Sequence, residues 1–437
     1  MRKPSFTFLL GLSFYWFTLT FIFGAVITIL IPSLVATWFE PEVAGKWLGI
    51  VMGIGGIAAA VSQLLVGALS DHSTHRWGRR RPFILMGSAL SVLVFIAMGA
   101  GLTGYWHFVA LFILAQIALN IAAAPYTALL PDLIPREHHG RAAGLMGVAR
   151  ILGEGIGILF AAHILRRNPL HGQEAASAAG VSGHHLLLLM LAFSILMIIA
   201  TTIILIQCRE TPLQRNDAEK TWRQAVVSIL HTSLRNHPDF SWLLVSRAVI
   251  NLGVYTVASF ILYFMEYALK VPDPQKATST TMTILLVSAA AGSYPAGVIS
   301  DRRGRKVVLY ISCAFTASAG MAFVFCNSFP LAMVCAAAMG LGFGAFLSTD
   351  WAFACNLLPQ KDPARYLAIW NLGAALPHVF AVFIGGFIAD TVHKFYPLGS
   401  GHRAIFLLSV IYFVLGALII GKVRETVGEQ VDAQAPS

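Results

Sequence analysis

Long apolar stretches alternate with short polar ones along the whole chain. The polar ones alternate in turn between basic and nearly uncharged. A helix needs roughly 20 apolar residues to cross the hydrocarbon core of a bilayer. Stretches of that length fall near 7–37, 46–70, 83–104, 106–130, 142–163, 184–207, 241–268, 277–299, 306–327, 330–354, 366–389 and 402–421. The pattern predicts an all-α membrane protein with twelve transmembrane helices, spans 1 to 12 in chain order. Residues 208–240 are polar and mixed in charge, so they read as a linker between two six-helix bundles, 1–207 and 241–437.

Composition agrees with lipid as the solvent. Of 437 residues, 57% are hydrophobic and 11% charged, where a soluble domain carries about a quarter charged. The net charge of +10 would suit a nucleic-acid partner, but its distribution argues for topology instead. With both termini inside, inner segments carry 21 Lys and Arg, outer loops seven, and Arg150 and Arg247 fall within spans. That is the positive-inside bias, and no nucleic-acid partner is expected. The five cysteines form no CxxC pair, so neither a disulfide framework nor a metal site is indicated. Span 1 has no small-residue cleavage site and is expected to stay in the membrane. Short tails and the lack of an N-x-S/T sequon point to a bacterial inner membrane.

One basic loop occurs twice. Gly67-Ala-Leu-Ser-Asp71 is followed, after four extra residues, by Arg76-Trp-Gly78-Arg79-Arg80-Arg81-Pro82. Its second copy is Gly297-Val-Ile-Ser-Asp301-Arg302-Arg303-Gly304-Arg305-Lys306. Pro135–Arg141 likewise aligns with Pro359–Arg365 at an offset of 224. Duplication around a central site is the architecture of secondary transporters. A carboxylate at a helix end beside several Arg can latch one conformation and release another. The plainer alternative is that the Arg clusters only anchor inner loops.

This motif resembles that of the major facilitator superfamily, whose loop between helices 2 and 3 reads G-x-x-x-D-R-x-G-R-R. The expanded first copy is similar to the sucrose/proton symporter branch (glycoside-pentoside-hexuronide-like). The resemblance implies two pseudo-symmetric six-helix bundles, alternating access, and a gating role for Asp71 and Asp301 with their basic neighbours. The sucrose carriers read roughly D-x-x-x-N-x-x-x-G-P-x-R-A-L-L-A-D-L along helix 4. Here Asn120, Pro125 and Asp132 match, while Gln116 and Thr127 replace the coupling Asp and Arg.

Charges within spans cost a few kcal/mol each unless paired or hydrated. Arg150 and Glu154, four residues apart, share one face of span 5 and lie roughly 13 to 20 Å into the membrane. The offset of 224 sets His378 on span 11 opposite Glu154. These three are proton-coupling candidates, or else a structural ion pair and a satisfied histidine. Asp350 on span 10 is a fourth candidate, or the partner of Arg247. If the family's arrangement holds, Tyr15, Trp16, Thr18, Gln116, Asn120, Asn251, Tyr255, Trp370 and Asn371 line the substrate cavity. Such a set suits a neutral polyhydroxy ligand; the bland reading is helix packing and interhelical hydrogen bonding.

The sequence thus points to a monomeric, proton-coupled transporter of a sugar such as a sucrose- or maltose-like glycoside, without cofactor. Two alternatives stay open: proton-driven efflux of an amphiphile, and a non-transporting assembly or sensing protein. No P-loop, H-E-x-x-H or nucleophile elbow occurs, so neither ATP-driven pumping nor an enzyme is expected.

Overall fold

The computed structural model describes residues 4–39, 41–71, 73–165, 183–208, 236–358, 363–393 and 400–424. Most of the linker 208–240 and the start of the second copy of the Pro135 repeat lie outside the described residues.

Among the described residues, twelve helical rods follow one another. Helix α1 runs Phe6–Ala25 and continues through a π turn, Val26–Leu30, into Ile31–Trp38. Next come α2 (Pro41–Asp71), α3 (Arg81–Ala100), α4 (Tyr105–Leu133), α5 (His139–Ile164) and α6 (Gly183–Gln207). Helix α7 (Pro238–Tyr263) also ends in a π turn, Phe264–Ala268. It is followed by α8 (Pro274–Arg303), α9 (Arg305–Val324), α10 (Phe329–Leu357), α11 (Pro363–His393) and α12 (Ser400–Ile420). By the length and composition of their described residues, eleven of the twelve can cross a membrane; α11 itself runs 31 residues.

Local chemistry sets the helix ends. The Ser5 hydroxyl accepts the Phe8 N–H at the start of α1, and the Asp273 carboxylate accepts the Lys276 N–H at the start of α8. Gly78 (φ 102°) and Gly304 (φ 89°) occupy the same place in the two basic loops. Only glycine takes that left-handed backbone without strain, which explains why the repeat keeps a Gly there.

The main packings within the first six helices recur six positions on. Helix α1 packs on α5 and α6 as α7 packs on α11 and α12, and α4 packs on α2 and α3 as α10 packs on α8 and α9. Between the halves, α5 meets α8 and α10 while α11 meets α2 and α4, again as a symmetric set. The molecule is therefore two pseudo-symmetric six-helix bundles. Large apolar side chains such as Leu93, Leu159, Ile206, Phe387 and Leu418 point outward and are well exposed, as a lipid-facing surface requires.

Glycines mediate several close crossings. A Cβ on Gly340 or Gly344 would run into the α8 backbone at Leu285 and Ala289, and one on Gly342 into Thr316 of α9. In the Gly53–Gly56 run, only Gly55 meets a neighbour, Phe112. Gly53 and Gly56 lie on the outer face of α2 with open space beside them.

Candidate substrate cavity and gate

The second copy of the basic loop ties one bundle to the other. Asp301, in the last turn of α8, accepts the backbone N–H of Gly140 and of Arg141, both at 2.7 Å, at the start of α5. These N–H groups belong to the first helical turn and lack intrahelical partners, and the helix dipole there favours a carboxylate. Arg305 donates to Asp301 at 3.0 Å and to the Arg136 carbonyl at 2.8 Å. Beside them His139 Nδ1 lies 2.7 Å from Asn356 Oδ1, and Ser293 donates to the Gly144 carbonyl. Gly140 and Gly297 let α5 and α8 touch backbone to backbone: a Cβ on either would stand 2.4 or 2.2 Å from the other's carbonyl oxygen.

The first copy builds a network within its own bundle. Arg80 and Asp71, both fully buried, pair at 2.6 Å, and Arg80 Nε also reaches Asp132 at 3.0 Å. Arg79 meets Asp132, Arg80 donates to Ser70, and Arg81 donates to the Leu205 carbonyl. The loop thereby fastens α2, α3, α4 and α6. Gly67 and Gly297 accept the hydroxyls of Ser70 and Ser300 in matching turns, while Arg76 and Arg302 are exposed.

Away from the basic end, α5 and α8 part. A cavity of about 220 Å³ opens between α5, α7, α8 and α10, lined by Arg150, Ile151, Glu154, Val254, Tyr255, Met282, Leu285, Phe343 and neighbours. Arg150 and Glu154, one turn apart, both face it, and among the described residues neither has an ion-pair partner within 4.0 Å. A smaller void between cavity and gate is walled by Trp16, Met146, Arg150, Arg247, Leu347 and Trp351. Trp16 and Trp351, one from each bundle, lie 5.9 Å apart.

Arg247 and Asp350 form a buried ion pair within the second bundle, and the Arg247 guanidinium lies 4.6 Å above the Trp370 ring. The structure thus unites two residues that the sequence offered as alternatives, a lone acid or a partnered one.

The other sequence candidates fall in several places. Trp16 and Tyr255 line the voids. Tyr15 is fully buried inside the first bundle, bonded to Ser88 and 4.6 Å from Tyr126. Gln116 borders a small apolar void among α1, α3, α4 and α6, and its carbonyl takes the Asn120 amide. Thr18 is back-bonded to the Phe14 carbonyl. Asn251 is buried, Trp370 lies under Arg247, and Asn371 is half-buried. The His378 side chain is not among those described.

Asp132, His139, Ser293 and Asn356 were not singled out as gate residues from sequence. Asp132 carried a signal, being an acid that faces an Arg-rich loop across the same membrane surface. The others are ordinary polar residues whose partners lie far away in sequence.

Comparison with known proteins adds an independent line. The chain matches the family described as MFS/sugar transport protein over residues 22–358. It is 33% identical over 125 residues to an uncharacterised symporter of Synechocystis sp., covering 25% of this chain and 23% of that protein. It is 32% identical over 124 residues to a sucrose transport protein of Oryza sativa subsp. japonica, covering 23% of each. These alignments span about a quarter of the length of the curated relatives. The fucose:proton symporter of E. coli superposes over 96% of this chain and 99% of its own, with a TM-score of 0.72 at 13% identity, a likeness of fold.

Proposed function

The chain belongs to the MFS/sugar transport protein family of multi-pass membrane transporters, and from that premise we propose that it moves a small sugar-like solute together with protons by alternating access. The carrying observation is a cavity between the bundles, holding Arg150 and Glu154, that is sealed at one end by contacts around Asp301 and Gly140. Transporters of this architecture bind substrate and ions near the midplane, at the interface of their repeats.

The sealed end carries the basic loops, which the positive-inside rule assigns to the cytoplasm. In this reading the structure is the state closed toward the cytoplasm, in a bacterial inner membrane with both termini inside. The bundles 1–207 and 241–437 rock about the linker 208–240 as a monomer. Glu154 is the first candidate to carry the proton, because it faces the cavity without an ion-pair partner among the described residues, and His378 and Asp350 follow. A sucrose- or maltose-like glycoside is the substrate that the resemblance of the first basic loop to the sucrose carriers favours, with Gln116 and Thr127 as the departure from it. Efflux of an amphiphile is the second reading, favoured by the apolar character of the cavity wall.

The test uses purified protein in liposomes enclosing a pH-sensitive dye. Internal acidification on adding sucrose or maltose, absent with unrelated solutes, is the expected result. No solute-dependent proton flux with any sugar would overturn proton-coupled sugar uptake.

A further inference from the structure

Ten of the thirteen residues lining the main cavity are hydrocarbon: Ile151, Val254, Val257, Ala258, Met282, Leu285, Leu286, Met339, Phe343 and Leu347. Among the described residues of this lining, Arg150, Glu154 and Tyr255 are the ones with polar side chains. A neutral sugar loses water from hydroxyls on every side when it is buried, and each hydroxyl then needs a partner. The described wall is better matched to a solute with an apolar body and one charged group.

The charge balance is equally specific. Arg247 lines the smaller void and is neutralised by its own partner, Asp350. Arg150 lines both voids and has no such partner among the described residues. The buried indole N–H of Trp351, on the same wall as Arg150, also lacks a hydrogen-bond acceptor among the described residues. A guanidinium on an otherwise apolar wall is suited to a carboxylate or sulfate, which it holds through two parallel charge-assisted bonds.

We propose that the cavity takes an organic anion, its acidic head on Arg150 and an apolar body against the α8 and α10 wall. The proposal rests on the proton-coupled transport reading of this cavity and sets an acidic solute with an apolar body against the neutral glycoside. Glu154, one turn from Arg150, repels such an anion when ionised and admits it when protonated. The proton and the anion therefore enter together, and the complex carries no added charge.

The test titrates the purified full-length protein in detergent with 4-phenylbutyrate and 2-naphthylacetate, with the two corresponding amides, and with sucrose. Each acid is expected to bind about tenfold or more tightly than its amide, the scale of one charge-assisted bond. Arg150→Gln should erase that preference and Arg150→Lys should keep most of it, which separates loss of the charge from loss of the fold. Amides that bind as tightly as the acids, or acids that do not bind, would overturn the proposal. The liposome assay separates it from the broader reading. A carboxylate preference without any proton flux leaves the anion site standing and removes proton coupling. Sucrose-driven acidification without carboxylate binding does the reverse.

Discussion

The Asp301 carboxylate of α8 lies 2.7 Å from the backbone nitrogen of Gly140 in α5, so an acid of one bundle caps a helix of the other. Asp301→Asn keeps the shape and removes the charge that the α5 N-terminus favours. The closed basic end should lose about 1–2 kcal/mol relative to an open one, a factor of roughly 5–30 in population. Thiol labelling of Ser293→Cys, buried here against Gly144 and Gly147, should speed up in that background. Unchanged labelling would mean that this bond does not hold the gate.

Asp132 gives the opposite signature. It binds Arg79 and Arg80 inside the first bundle, so Asp132→Asn should cost about 1–3 kcal/mol of stability while leaving Ser293→Cys labelling unchanged. A melting curve in detergent and the labelling rate together decide the matter.

Gly297→Ala places a Cβ 2.2 Å from the Gly140 carbonyl oxygen. The clash is with backbone, so α5 and α8 must separate, at a cost of about 1–3 kcal/mol for this state alone. We expect transport to fall and Ser293→Cys labelling to rise, with little change in melting temperature. A protein that simply melts earlier, with normal turnover below its melting point, would assign the glycine a folding role instead.

Glu154→Gln keeps the size and hydrogen-bonding shape of a protonated glutamate that cannot ionise. Solute exchange across equilibrated liposomes should persist in this variant. Accumulation driven by a pH gradient should disappear. Retention of pH-driven accumulation would move the proton to Asp350 or His378.

The number of helices, their limits and the duplication were legible in the sequence, because twelve apolar runs and a repeated loop leave few other arrangements. The site was legible only in part. Arg150 and Glu154 were found because a charge within a span is conspicuous and because the 3.6-residue period puts them on one face. Tyr15 and Gln116 look like cavity residues by composition, yet they lie inside the first bundle. The sector of a helix that meets its own bundle and the sector that meets the cavity are both apolar with scattered polar residues, so periodicity does not separate them. That Asp301 reaches the N–H groups of Gly140 and Arg141 across the interface depends on packing that no local pattern records.

The pairing of Arg247 with Asp350 in the second bundle yields a prediction about coupling as well as stability. Breaking a buried pair by removing one partner strands the other charge, at about 3–5 kcal/mol. Asp350→Asn and Arg247→Gln should therefore each lower the melting temperature markedly. The double variant should be more stable than either single one, because it strands no charge. A double variant destabilised by about 2 kcal/mol or more less than the sum of the two single variants is the expected signature of direct pairing. The same double variant then isolates function from folding. If Asp350 is only Arg247's counter-ion, the double variant retains transport driven by a pH gradient. If Asp350 carries the proton, accumulation is lost although the fold is restored.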